Sequence, residues 1–132
     1  MGNGRRTSRR RILASEESPA KTAHRRRGDL CSLQGELGEV AFMHKATSVG
    51  FALALPYGHI HRYDFVVDGG ANLWRVQVKT TTYLREGLYC VALKRRTRRG
   101  QLAYTSTEVD FIAAYIIPEQ TWYILPVREV EN

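Results

Sequence analysis

Cysteine is scarce in this chain: Cys31 and Cys90 are the only two in 132 residues. A pair so few and so far apart makes neither a disulfide framework nor a zinc site, and reduced thiols are expected. Long apolar runs are missing as well. Nothing approaches the roughly 20 residues that cross a bilayer, and the first 28 residues hold no apolar core of a secretory signal. Arg6 stands where a myristoylation signal needs Ser or Thr. These absences exclude membrane-spanning and secreted disulfide-rich classes and lead us to expect a soluble, cytoplasmic protein with no membrane partner. The hydrophobic content of 43%, with 10% aromatics, supports the core of one small α/β domain.

Charge is unevenly distributed. Residues 1–28 carry nine Lys or Arg and two Glu, which accounts for the whole net charge of +7. Residues 29–132 carry eleven basic and eleven acidic side chains and are neutral overall. The first segment lacks apolar periodicity and is rich in Arg, Gly, Ser and Thr, so it cannot offset its ordering entropy and is expected to be a disordered arm. Such an arm is either a solvated tail or a polyanion-binding one, nucleic acid being the polyanion that fits through counterion release.

The spacing of Leu33, Leu37, Val40 and Met43 predicts a helix from Ser32, with Gly50 as its C-terminal cap. The helix carries Glu36 and Glu39. Gly35 and Gly38 weaken it by up to about 1 kcal/mol each relative to Ala, which close packing would explain. Strands are expected at 51–57, 61–68, 73–81 and 88–93. The Asp68-Gly-Gly-Ala-Asn72 turn joins the second and third into an antiparallel hairpin. Five basic residues, Lys94, Arg95, Arg96, Arg98 and Arg99, are read as a loop that either is merely solvated or grips a sugar-phosphate backbone. A second hairpin, 111–117 with 121–127, closes the chain.

Side chains alternate along a strand, so Gln77 and Lys79 share a face while Trp74, Val76 and Val78 take the other. With residues 69–72 as the loop, Asp64 falls directly opposite Gln77. An acid, an amide and an amine then meet within about 7 Å. An exposed salt bridge between Lys79 and Asp64 would explain part of the pattern. If the helix crosses the hairpin, Glu39 or Glu36 adds a third oxygen. Carboxylates and an amide carbonyl are hard donors that suit Mg²⁺, and a nearby lysine suits an attacked phosphoryl group. The His59-x-His61 pair lacks further ligands at metal-site spacing and is read as loop polarity.

The runs Gly35-Glu-Leu-Gly-Glu39, Arg62-Tyr-Asp64-Phe-Val-Val-Asp68 and Leu73-Trp-Arg-Val-Gln77-Val-Lys79-Thr-Thr resemble the PD-(D/E)xK nuclease superfamily. More narrowly, the chain is similar to the group I intron-associated homing endonucleases, in which Gln replaces the acid of the third motif. The likeness extends through Asp110-Phe-Ile-Ala-Ala-Tyr-Ile-Ile-Pro118 and Thr121-Trp-Tyr-Ile-Leu-Pro126, covering about residues 33–127.

The resemblance implies a restriction-endonuclease-like core of α/β (α+β) class, a mixed and mainly antiparallel sheet with an N-terminal helix packed on it. It also implies Mg²⁺-dependent hydrolysis of DNA phosphodiesters. Asp64, Gln77 and Glu39 would be metal ligands and Lys79 would position the water. Gly35, four residues before Glu39, matches the arrangement in related junction resolvases and favours Glu39 over Glu36. A domain this small implies a dimer or tetramer on DNA. Two other readings stand beside homing-type cleavage: a nucleic-acid-binding module that has lost activity, and a junction-resolving or repair nuclease.

Overall fold

The computed structural model describes residues 22–131. Residues 1–21, most of the expected basic arm, lie outside the described residues. Helix α1 spans Thr22–Ser48, and nine strands follow: β1 Ala52–Ala54, β2 Phe65–Asp68, β3 Leu73–Thr81, β4 Leu84–Arg85, β5 Leu88–Tyr89, β6 Lys94–Thr97, β7 Gly100–Ala103, β8 Phe111–Ile116 and β9 Thr121–Pro126. A last turn of helix, α2, covers Val127–Val130. None of the described helices is long and apolar enough to cross a membrane.

The main sheet has the order β1-β2-β3-β8-β9. Only β3 and β8 run parallel; every other pairing is antiparallel. A parallel pair needs a crossover, and residues 82–110 provide it, carrying the β4–β5 and β6–β7 hairpins. The strands are shorter than expected at 51–57, 61–68 and 88–93, where only three, four and two residues pair. The basic segment 94–99 is a correction of kind: its first four residues are a strand paired with β7, leaving only the tip as loop.

The β2–β3 register is the one the turn dictated, with Phe65 opposite Val76 and Asp68 opposite Leu73. Gly70 adopts φ +87°, and its N–H donates to Asp68 Oδ1 at 2.8 Å, while Gly69 N–H donates to the Asn72 carbonyl at 2.9 Å. The C-terminal cap of α1 also matches. Gly50 has φ +96°, with Gly50 N–H bonded to Thr47 O and Phe51 N–H to Ala46 O, both at 3.0 Å, the two bonds of a Schellman motif.

Helix α1 departs from expectation in where it starts. It begins ten residues before Ser32, so the boundary drawn between residues 28 and 29 falls inside it. Leu33, Leu37 and Val40, whose spacing announced the helix, are at least half exposed. The face that packs is Gly38, Phe42 and Ala46. The reason is steric: a Cβ on Gly38 would lie 2.0 Å from Thr80 Cγ2, so the helix rests on β3 at its glycine and the larger Leu side chains are turned away.

Each sheet face has its own core. Phe42 and Ala46 pack with Phe65, Val67, Val76, Val78 and Ala113 on the helix side. Tyr104, Val109, Ile112 and Val127 form the opposite cluster, with Tyr63, Leu93 and Leu125 against it.

Candidate active site

Strand β2 stops pairing at Phe65 while β3 continues to Thr81, which strips the later part of β3 of its neighbour on that side. Exposed backbone polar groups there must find other partners. Val78 N–H donates to Asp64 Oδ2 at 2.8 Å, and Val78 O accepts from Gln77 Nε2 at 3.1 Å. Two residues further along β3, the Thr80 carbonyl accepts from Gln34 Nε2 of α1 at 3.4 Å, and Thr80 Oγ1 donates to Gln34 O at 3.3 Å. The fork between β2 and β3 is thus closed by side chains, and Asp64 is held at its apex by its own N–H on Val76 O at 2.9 Å.

Gln77 Nε2 also donates to Asp64 Oδ2 at 2.8 Å. Both amide hydrogens are therefore used, one on Asp64 and one on Val78, which leaves Oε1 as the outward atom of Gln77. Both donors to Asp64 share Oδ2, which leaves Oδ1 open. A glutamate at 77 could not donate these bonds and would set a second carboxylate against Asp64.

Lys79 lies on the same face as Gln77, with Nζ 5.1 Å from the Tyr104 ring centroid, a cation–π distance. The ion pairs among the described residues are Arg62–Glu108, Arg75–Asp110 and Arg85–Glu86, so Lys79 is not tied up in a contact salt bridge with Asp64. Burial raises the Asp64 pKa above its ordinary value, against the opposing pull of the Val78 N–H and the charge of Lys79. Glu39 is raised too, first by burial, then by the charges of Asp64 and Glu36. Glu39 and Asp64 line one cleft of about 310 Å³, whereas Glu36 is exposed.

The structure brings Gln77 into contact with Asp64 and places Glu39 beside Asp64 in one cleft. Gln77 and Lys79 face away from α1, toward the cluster containing Tyr104, whereas Glu39 on α1 shares with Asp64 the cleft lined by the β1–β2 link. Among the described residues no three His, Cys, Asp or Glu side chains gather as a metal cluster. The donor set that fits a hard divalent ion is two acids plus the Gln77 amide oxygen.

The basic residues 94–99 are carried on the β6–β7 hairpin, whose two stems, Leu93 and Tyr104, are anchored in the cluster beneath Lys79. Lys94, Arg96, Arg98 and Arg99 are exposed. Sequence reasoning missed Tyr104 as the seat of Lys79 and placed His59 and His61 outside the site, although both line the Glu39–Asp64 cleft. Closeness to Asp64, three residues after His61, was the available signal. It also missed the clasp of Arg75 on Asp110, described by bonds from Arg75 Nε and N–H to Oδ2 at 3.1 and 2.7 Å and from Nη2 to Oδ1 at 2.9 Å.

A helix on a mixed five-stranded sheet, with an acid, a Gln-x-Lys strand and a helical acid at a strand fork, defines a nuclease class, and the PD-(D/E)XK endonuclease family model matches residues 31–132. The chain belongs to that family. It is similar to a solved structure of a bacterial homing endonuclease, I-Ssp6803I, at 29% identity and a TM-score of 0.65, covering 74% of this chain and 70% of that one. No curated protein matches the chain.

Proposed function

We propose that this protein is a Mg²⁺-dependent DNA endonuclease of homing type, acting in the cytoplasm as a homo-oligomer. The observation that carries the reading is the fork: Asp64 Oδ2 held by Gln77 Nε2 and Val78 N–H, with Lys79 on the same face and Glu39 in the same cleft. Nucleases of this family are generally dependent on a divalent metal. Asp64, Gln77 Oε1 and Glu39 would hold the ion, which when bound supplies polarisation of the scissile phosphoryl group and an activated water.

The chain's own groups do the rest. Gln77 and Val78 fix the Asp64 carboxylate so that it need not reorganise during reaction. Lys79, positioned by Tyr104, stabilises charge developing on the phosphoryl oxygens. Glu39, in the same cleft as Asp64, would complete the oxygen ligands of the ion from the helix side. The β6–β7 hairpin carrying Lys94, Arg95, Arg96, Arg98 and Arg99, all but Arg95 exposed, grips phosphates. Residues 1–28 add non-specific affinity to the 29–132 nuclease domain.

Leu30, Leu33, Leu37 and Val40, all at least half exposed along one side of α1, support a dimer or tetramer built on that stripe. Incubating the protein with supercoiled, linear and branched DNA, with Mg²⁺ and with EDTA, tests the reading. Nicking of unbranched duplex in Mg²⁺ alone is the expected result. Cleavage confined to branched DNA would identify a junction-resolving or repair nuclease, and binding without cleavage an inactive module.

A further inference from the structure

The cleft that holds Glu39 and Asp64 has a second wall, to which phosphodiester hydrolysis gives no role. Leu55, Pro56, Gly58, His59 and His61 form it, all from the link between β1 and β2. Between Leu55 and His61 the chain has no Lys, Arg, Asp or Glu. At its tip Tyr57 is 99% exposed and Ile60 85% exposed. Loop tips in water are ordinarily polar, and apolar side chains presented together mark a contact surface.

This loop is braced at several points. His61 Nε2 lies 2.7 Å from the Tyr57 carbonyl and donates to it, closing the loop across its tip. Gly58 makes the turn at φ +95°, a value that glycine adopts without strain. Arg62 Nε pairs with Glu108 Oε1 at 3.4 Å, and Tyr63 packs into the cluster beneath the sheet. Fastening at these points holds Tyr57 and Ile60 outward instead of letting them fold onto the body.

We propose that residues 55–61 form a docking finger for duplex DNA, in which Tyr57 and Ile60 press against bases and sugars of the nucleotides beside the scissile phosphate. The proposal rests on the nuclease reading, because it is a phosphate at Asp64 that brings those nucleotides alongside the loop. The division of labour follows from charge. Two acids border the loop, so its neutral tip suits base faces and sugars, whereas the cationic β6–β7 hairpin suits phosphates. Apolar wedges and aromatic stacking are the recurrent ways in which proteins engage such surfaces.

The test places a photo-cross-linker in the full chain by Tyr57→p-benzoylphenylalanine, with Ile124→p-benzoylphenylalanine as control. Ile124 is 55% exposed on β9, at the sheet edge opposite β1. In EDTA, with a synthetic duplex, the probe at 57 should cross-link to DNA, unlabelled duplex should suppress it, and the probe at 124 should not react. In parallel, the double variant Tyr57→Ala, Ile60→Ala should melt like the wild type while its KM for plasmid nicking rises roughly tenfold and kcat falls less. DNA binding without a cross-link from 57, equal cross-linking from 57 and 124, or an unchanged KM would overturn the finger. Cross-linking from 57 by a protein that never nicks would support the finger and sink the catalytic reading. Nicking without the cross-link would do the reverse.

Discussion

Arg75 and Gln77 point to the same side of β3, two residues apart, yet each holds its carboxylate in an opposite condition. Asp110 receives three bonds from Arg75, and that guanidinium also bonds the carbonyls of Thr107 at 2.5 Å and Ser106 at 3.1 Å. The Arg75 guanidinium holds the Asp110 carboxyl below its ordinary pKa. Asp64 receives a neutral amide and a backbone N–H, has its lysine nearby but seated on Tyr104, and is held above its ordinary pKa by burial. One end of the face is a finished ion pair that pins the β3–β8 crossover. The other is a positioned but under-neutralised acid, the condition that favours taking up a cation. On the proposed reading the contrast separates an acid that serves the fold, Asp110, from one that would serve the chemistry, Asp64, although both flank one strand.

The sharpest way to break this contrast is to truncate one cation at each end. Lys79→Ala should lower Mg²⁺-dependent nicking by about 10²–10³-fold while urea unfolding stays close to wild type. Arg75→Ala should cost about 2–3 kcal/mol of stability through lost charge-assisted bonds, with nicking per folded molecule reduced far less. If the two variants exchange these outcomes, the assignment of the two ends is wrong.

Gly38→Ala probes how α1 delivers Glu39. The new methyl meets Thr80, whose Cγ2 is on a stiff, branched side chain, so a loss of about 1–2 kcal/mol is expected despite the better helix propensity. Adding Thr80→Ser should restore most of it, as followed by urea midpoints. A stabilised single variant would show that the helix does not sit on β3 this closely.

Acid sharpens the comparison further, because the two carboxylates respond with opposite sign. Asp110 binds its proton less tightly folded than unfolded, so its contribution is present above the ordinary carboxylate pKa, about 3.9, and is lost as pH falls through its lowered value. Asp64 binds its proton more tightly folded, so its charge weighs against the fold above its raised pKa and is relieved as pH falls. In EDTA, Asp64→Asn should therefore be slightly more stable than wild type at pH 8, with the gap closing toward pH 4. Asp110→Asn should be less stable at pH 8 and less sensitive to acid. Parallel stability curves for all three proteins would contradict both assignments.

Much of the site was legible because it depends on local rules. The Asp68-Gly-Gly-Ala-Asn72 turn sets the β2–β3 register, strand alternation puts Gln77 and Lys79 together, and Gly50 ends the helix. What escaped depends on contacts between distant segments. Nothing near Arg75 in sequence points to Asp110, and nothing near Lys79 points to Tyr104. Gly38 signalled close packing, and a Cβ there would meet Thr80, but that Phe42 and Ala46 share this packing face while Leu33 and Leu37 are exposed is decided by contact with the distant sheet. The start of α1 at Thr22 lies in an Arg-rich stretch without apolar period, and the pairing of 94–97 with 100–103 carries no alternation of apolar residues to announce it.

The central claim is that Asp64, fixed by Gln77 and Val78, is the group through which a divalent ion enables DNA cleavage. Supercoiled plasmid incubated with purified wild type and Asp64→Ala, each in Mg²⁺ and in EDTA, tests it most directly. The account predicts nicked circles only from wild type in Mg²⁺, with both proteins equally folded by circular dichroism. Nicking by Asp64→Ala at the wild-type rate, or by wild type in EDTA, would contradict it.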